Sequence, residues 1–296
     1  GLALVAGIAW LYLSARAARA DQRPVSQLPS IVGQYHSLAI LPGQPGIALL
    51  GSPDGLLGSR DGGRTWGRLP TSGDIITIAA EPDRPRTIYA AGRDLFLKSE
   101  DGGQSWAALG HDLPGTDVRA LTSDPDAPAG LYAYVADQGL FRSSDGGAHW
   151  TPVDARIRAQ TTAIAVMGGA RRRVYLATAD QGILASSDGR AWGAASGFVN
   201  GALPTRRVNA LVYDRRSGDS VADGPSPALT GALYAGTDWG LFKSVDGGGS
   251  WTRLPLQADV ASAAFDPANS AVLLIVDAQG RIFRSEDRGL TWRNGR

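Results

Sequence analysis

The carboxylates of one repeated phrase are the side chains of this sequence best placed to do chemistry. Asp61, Asp101, Asp145, Asp188, Asp246 and Asp287 each lie in an S-x-D-x-G-x-x-W phrase closed by Trp66, Trp106, Trp150, Trp192, Trp251 and Trp292. The fourth copy, SSDGRAW, is one residue short, and the sixth, SEDRGLTW, carries Arg288 in place of the first glycine. Such aspartates could act as acid–base groups or as calcium ligands. A calcium loop, however, needs several oxygens converging within about a dozen residues, and each phrase offers one carboxylate. Two carboxylates that share a proton must sit side by side, whereas these lie 40 to 58 residues apart. A phrase that occurs six times is expected to be architecture. Within it, aspartate accepts hydrogen bonds from the N–H groups of its own turn and glycine supplies positive φ. The tryptophan then folds back and buries a large apolar surface.

Other chemistries lack their residues. The chain of 296 residues has no cysteine, which removes disulfides, thiolate catalysis and cysteine metal sites. His36, His111 and His149 stand far apart, with no metal-ligand spacing, so neither a metal nor a cofactor is expected. A formal net charge of +1 and the absence of a basic motif argue against a nucleic-acid partner. A glycosidase would have to work with aspartates, because of the three glutamates Glu100 and Glu286 lie inside the repeated phrases and Glu81 lies in a turn.

The elements that carry the phrase are short strands. The phrase recurs every 40 to 44 residues, with one spacing of 58, a period that together with strand content indicates a propeller. The second repeat shows four parts: ITIAAEP (76–82), TIYAAG (87–92), LFLKS (95–99) and, after the phrase, WAAL (106–109). Each is bounded by Gly, Pro or Asp turns and reads as one of strands A to D. Six repeats predict an all-β, six-bladed β-propeller over residues 35–296. The long spacing comes from two insertions, 197–207 and 215–231. Two ways of closing the ring are open: residues 292–295 complete the sixth blade, or residues 25–33 contribute to it.

The phrase resembles the Asp-box, or BNR, repeat of sialidases and other propellers. That resemblance implies one face carrying the C–D turns and A–B loops, and an opposite face of B–C turns and D–A loops on which ligands usually bind. The B–C turns, SPDG (52–55), GRD (92–94), ADQG (136–139 and 179–182), TDWG (237–240) and DAQG (277–280), form a ring of Asp and Gln with Trp239 as the single aromatic. Turn chemistry accounts for this pattern; a polar rim with Trp239 as a stacking platform is the functional reading. The sialidase arginine phrase and Tyr–Glu pair are missing. Arg171, Arg172 and Arg173, with Arg215 and Arg216, fall in A–B loops of adjacent blades, where they could form a basic patch for an acidic partner.

Within Asp-box propellers the chain is similar to the bacterial photosystem II stability/assembly-factor-like group, through its short set of DGGxTW repeats and its LFxS strands. The resemblance implies a non-enzymatic accessory or assembly subunit docked on an integral membrane protein complex, photosynthetic or respiratory. The alternative is a cell-surface glycan-binding or glycoside-hydrolase-like propeller. Residues 1–20, opening with the uncharged GLALVAGIAWLYLSA, are expected to be a single-pass anchor in the lipid bilayer. As a helix these fifteen residues would rise roughly 22 Å, short of a hydrocarbon core of about 30 Å, so further residues are expected upstream. Residues 21–34 read as a linker. Arg16, Arg19 and Arg23 favour a cytoplasmic propeller on the positive-inside rule, whereas the resemblance implies a periplasmic, extracytoplasmic one, which is the expected side.

Overall fold

A computed structural model describes residues 26–28, 35–157, 159–197, 201–216 and 231–292. The expected anchor lies outside these residues, and no helix among them is long and apolar enough to cross a membrane.

The described residues build six four-stranded antiparallel sheets. β1 is Ser26–Gln27; β2 to β5 (Leu38–Leu41, Gln44–Ser52, Gly55–Ser59, Gly67–Arg68) make blade 1. Blade 2 holds β6 to β9 (Ile75–Glu81, Arg84–Gly92, Phe96–Ser99, Ala107–Ala108), and blade 3 β10 to β13 (Val118–Ser123, Leu131–Val135, Gly139–Ser143, Thr151–Asp154). Blade 4 holds β14 to β17 (Thr161–Met167, Arg173–Thr178, Ile183–Ser186, Gly193–Ala194), and blade 5 β18 to β21 (Val208–Asp214, Ala232–Thr237, Gly240–Ser244, Thr252–Arg253). Blade 6 has β22 to β24 (Val260–Phe265, Leu273–Asp277, Arg281–Ser285). The all-β, six-bladed propeller read from the repeats is the observed fold.

Ring closure falls to the second alternative. β1 pairs with β24, Ser26 opposite Ile282 and Gln27 opposite Arg281, and so takes the outermost place in blade 6. Two residues of the stretch read as linker are therefore part of the ring. Leu28 N–H extends the pairing to the Gly280 carbonyl, and Ser26 Oγ donates to the Gly63 carbonyl of blade 1 at 2.7 Å. An unpaired edge of β24 would otherwise invite pairing with another chain.

The core is divided into six apolar layers, each between two neighbouring blades. One layer joins Leu41, Leu49 and Leu56 of blade 1 to Ile75, Ile78 and Ile88 of blade 2, and the last joins blade 6 back to blade 1. The repeated tryptophans define these seams. Trp106 packs into the layer between blades 1 and 2, Trp150 between 2 and 3, and Trp192 between 3 and 4. Trp251 and Trp292 continue the pattern, and Trp66 reaches back to blade 6. Each therefore cements its own blade to the preceding one, beyond covering its own sheet. Because every strand B and inner strand is sandwiched between two blades, the B strands read as near-continuous buried runs: Leu131–Val135 and Leu273–Asp277 are buried throughout.

Strand C keeps the alternation visible in the sequence, with Phe141, Phe242 and Phe283 buried. The cations that follow do not simply face water. Lys98, Arg142 and Lys243 stand opposite Tyr89, Tyr132 and Tyr234 in the register and lie 5.6 to 5.9 Å from the ring centres, a cation–π pairing of cross-strand neighbours repeated in three blades.

Candidate functional site

The repeated carboxylates are saturated by their own turns. Asp61 Oδ1 accepts from the Ser59 hydroxyl at 2.9 Å and from the N–H groups of Arg64 and Thr65 at 2.9 and 2.8 Å; Oδ2 accepts the Thr65 hydroxyl at 2.6 Å. Ser59 Oγ in turn accepts the Gly63 N–H at 2.8 Å. The same set recurs at Asp101, where Ser99, Gln104 and Ser105 are the donors. At Asp145 the imidazole of His149 takes the hydroxyl's place, 2.7 Å from Oδ2. In the shortened fourth copy the bonds to Asp188 come from Ser186, Arg190 and Ala191. Burial works to raise the Asp61 carboxyl, but the donors around it outweigh that and hold it at about 2. The backbone N–H groups of Ala191 and Arg190 hold Asp188 at about 2. Donors from their own turns hold these carboxylates ionised, as a turn-closing role requires. Among the described residues no group of three or more His, Asp or Glu is arranged to hold a metal.

The expected arginine patch is divided in its duties. Arg172 Nη2 donates to Asp124 Oδ2 and to the Tyr132 hydroxyl, both at 2.7 Å, and Nη1 reaches Asp126 at 2.9 Å. It thus joins the A–B loop of blade 4 to that of blade 3, and Arg142 shares the Asp124 carboxylate. Arg171 and Arg173 flank it, exposed. In blade 5, Arg216 donates to the Ala268 carbonyl of blade 6 at 3.0 Å, while Arg215 lines the channel opening on this face. Trp239 lies on the opposite face, 57 % exposed, its carbonyl accepting from Arg253 at 2.7 Å. The arginines and Trp239 are therefore not one site.

That opposite face holds a cavity of about 550 Å³ at the mouth of the central channel. Its wall is made by a device repeated in five blades. Strand A pairs with strand B through its first residue, skips the second, and resumes at the third. The skipped residues are Ile76, Arg119, Thr162, Asn209 and Ala261, and all five line the cavity. A bulge re-aims one side chain per strand, here toward the axis. Ahead of four of the five bulges, the last residues of the D–A loops add Asp117, Gln160, Arg207 and Asp259 to the rim.

Several of these groups hold the ring together. Thr162 Oγ1 donates to the Val208 carbonyl at 2.5 Å and Asn209 Nδ2 to the Val260 carbonyl at 3.0 Å, each reaching the following blade. Arg119 Nη2 donates to Asp117 Oδ2 at 2.7 Å, and Arg207 Nε to Asn209 Oδ1 at 3.3 Å. His36 Nε2 lies 3.3 Å from Asp74 Oδ1. Burial pushes the His36 pKa down against the opposing pull of Asp74. Burial, followed by the like charge of Asp238, pushes Asp259 up, against the pull of Arg207. A 550 Å³ hollow with convergent polar groups is in the size range of ligand sites. The B–C ring read from the sequence contributes Asp137 and the alanines beside it, but Trp239 is not among the lining residues. The bulge positions escaped the sequence reading; in two blades their trace is a polar residue second in an apolar run, VRAL (118–121) and VNAL (208–211).

Solved structures place this architecture among known propellers. A YCF48 structure with bound D1 peptide matches at 17% identity, with a TM-score of 0.54, covering 90% of this chain and 83% of that one. YCF48 from Cyanidioschyzon merolae matches at 16% identity and a TM-score of 0.54, over 88% and 98% of the two chains. The GH74 enzyme of Niastella koreensis matches at 17% identity and a TM-score of 0.56, over 88% of this chain but 38% of the enzyme, so the chain spans well under half of that protein. At these identities the likeness concerns the fold. No curated protein matches the sequence. Residues 87–296 match the model of the DUF6242 beta propeller domain, and the chain belongs to that β-propeller family.

Proposed function

We propose that this propeller is a non-enzymatic docking subunit that holds a segment of a partner protein at the channel mouth. The observation that carries the reading is the division of labour between the faces. The repeated carboxylates are satisfied within their own turns, while on the other face the bulges bring Arg119, Thr162 and Asn209 to an open cavity that Asp117, Asp137, Gln160, Arg207 and Asp259 also line. YCF48, which shares the fold, has been solved with a D1 peptide bound, and a bound peptide is the kind of occupant a cavity of this size accepts. The resemblance of the repeats to the Asp-box supports the reading. Residues 1–20 would anchor it in the membrane, on the extracytoplasmic side, against an integral photosynthetic or respiratory complex that it accompanies or helps assemble.

The test is purification of the full chain in mild detergent, with mass spectrometry of what migrates with it. Stoichiometric recovery of one membrane complex is the expected result; a lone monomer overturns the reading. A glycan reading is favoured by one observation, the indole of Trp239 standing free on the face of the cavity. On that reading, binding to a glycan panel is lost in Trp239→Ala.

A further inference from the structure

We propose that the channel mouth seats a cationic side chain, the ammonium or guanidinium of a Lys or Arg on a docked polypeptide, between Asp137 of blade 3 and Asp259 of blade 6. The inference rests on the docking reading above and names the chemistry of its partner. Blades 3 and 6 stand three apart in a ring of six and so face one another across the axis.

The charges of the cavity are unevenly matched. Asp117 is paired with Arg119 at 2.7 Å, which ties up the most deeply set cation, yet its Oδ1 is buried with no partner among the described residues. Asp137 and Asp259 line the same cavity, and no ion pair joins either to a cation of the described residues. Asp238, on the next turn, adds like charge close enough to bear on Asp259. The nearby cation, Arg207, is exposed and turned to Asn209. A half-buried carboxylate crowded by another of its kind gains most from a ligand that brings positive charge. An anion would instead meet these carboxylates with its arginine partner already engaged.

The walls suit the rest of such a side chain. Ala136 of blade 3, Ala179 of blade 4, and Ala261 and Ala278 of blade 6 add apolar wall to the opening. The methylene stem of a Lys or Arg can lie along such a wall while its charged end reaches the carboxylates. A sugar would want an aromatic face, and Trp239 stands outside the cavity.

The experiment is calorimetric titration of the full chain in detergent with acetyl-Gly-Gly-Lys-Gly-Gly-amide, taken to millimolar peptide. Matched peptides carry Nε-acetyl-lysine or glutamate at the centre. The lysine peptide is expected to bind, more weakly as salt rises, and the other two to fail. Asp137→Asn and Asp259→Asn are each expected to weaken binding about tenfold, the loss of one charge-assisted hydrogen bond. Arg207→Gln, which removes the competing cation, is expected to tighten it, a gain that misfolding cannot mimic. No binding of the lysine peptide, or equal binding of the acetylated one, overturns the proposal. Purification of the Asp137→Asn/Asp259→Asn double variant separates the two readings. If it retains the wild-type partner complex undiminished, docking stands and the cation site falls; if the wild type retains none, both fall.

Discussion

The indole N–H of Trp251 in blade 5 donates to the backbone carbonyl of Ala195 in blade 4, at 3.1 Å. The corresponding indoles of Trp66, Trp106 and Trp150 donate instead to a glycine carbonyl three residues back, at 2.8 to 3.2 Å. One side chain thus serves two ends: its ring fills the seam between blades, and its polar atom ties down either its own turn or the neighbouring blade.

Removing one of these rings should open a seam. Trp251→Ala and Trp150→Ala are expected to cost about 3–5 kcal/mol each, as for other buried large-to-small changes. Urea unfolding measures the loss. Trp251→Phe, which keeps most of the ring and loses only the bond to Ala195, is expected to cost about 1–2 kcal/mol.

Arg288 stands where four of the other copies have glycine and adopts φ 61°, in the left-handed region. Its Nε is buried with no partner among the described residues. Restoring glycine removes both penalties, and the greater freedom of glycine in the unfolded chain offsets part of the gain. Arg288→Gly is expected to stabilise the protein by about 0.5–1 kcal/mol, read as a higher midpoint in thermal unfolding.

Acid should loosen the turns. The hydrogen-bonded aspartates, Asp61 and Asp188 at about 2 among them, are held below the range of free carboxyls. A depressed carboxyl contributes stability that is fully present above its unfolded pKa, near 4, and is lost as pH falls through the folded value. The urea midpoint is therefore expected to hold between pH 7 and 5 and to fall steeply between about 4 and 2. In Asp61→Asn that part of the decline should shrink.

Arg172 bridges two blades through Asp124, whose side chain is wholly buried. Arg142 would remain on Asp124 after truncation, so the carboxylate keeps one partner. Arg172→Ala is expected to cost about 2 kcal/mol, in the range of hydrogen bonds to charged groups. Arg172→Lys should recover little, because an ammonium cannot reproduce the forked contact to Asp124, Asp126 and Tyr132. Equilibrium unfolding of the two variants decides it.

What the sequence determined by itself was everything carried within about eight residues. A turn such as Ser99–Trp106 closes on its own donors and acceptors, so its residues announce it wherever they stand. Its recurrence was enough for the blade count and for the structural role of the six aspartates. What the tertiary structure alone decided joins residues far apart in the chain. Ser26 completes a sheet with Ile282; Trp66 packs against the sixth blade; Asp137 and Asp259 meet at one cavity. Arg172 read as part of a basic patch for an acidic partner because its own partners, Asp124 and Tyr132, lie forty or more residues back. The bulges fall between these cases, faintly written in blades 3 and 5 as one polar residue in an apolar run and unmarked in blades 2 and 6. Their direction depends on pairing with strand B, and the cavity exists only once the ring has closed and brought them to a common axis.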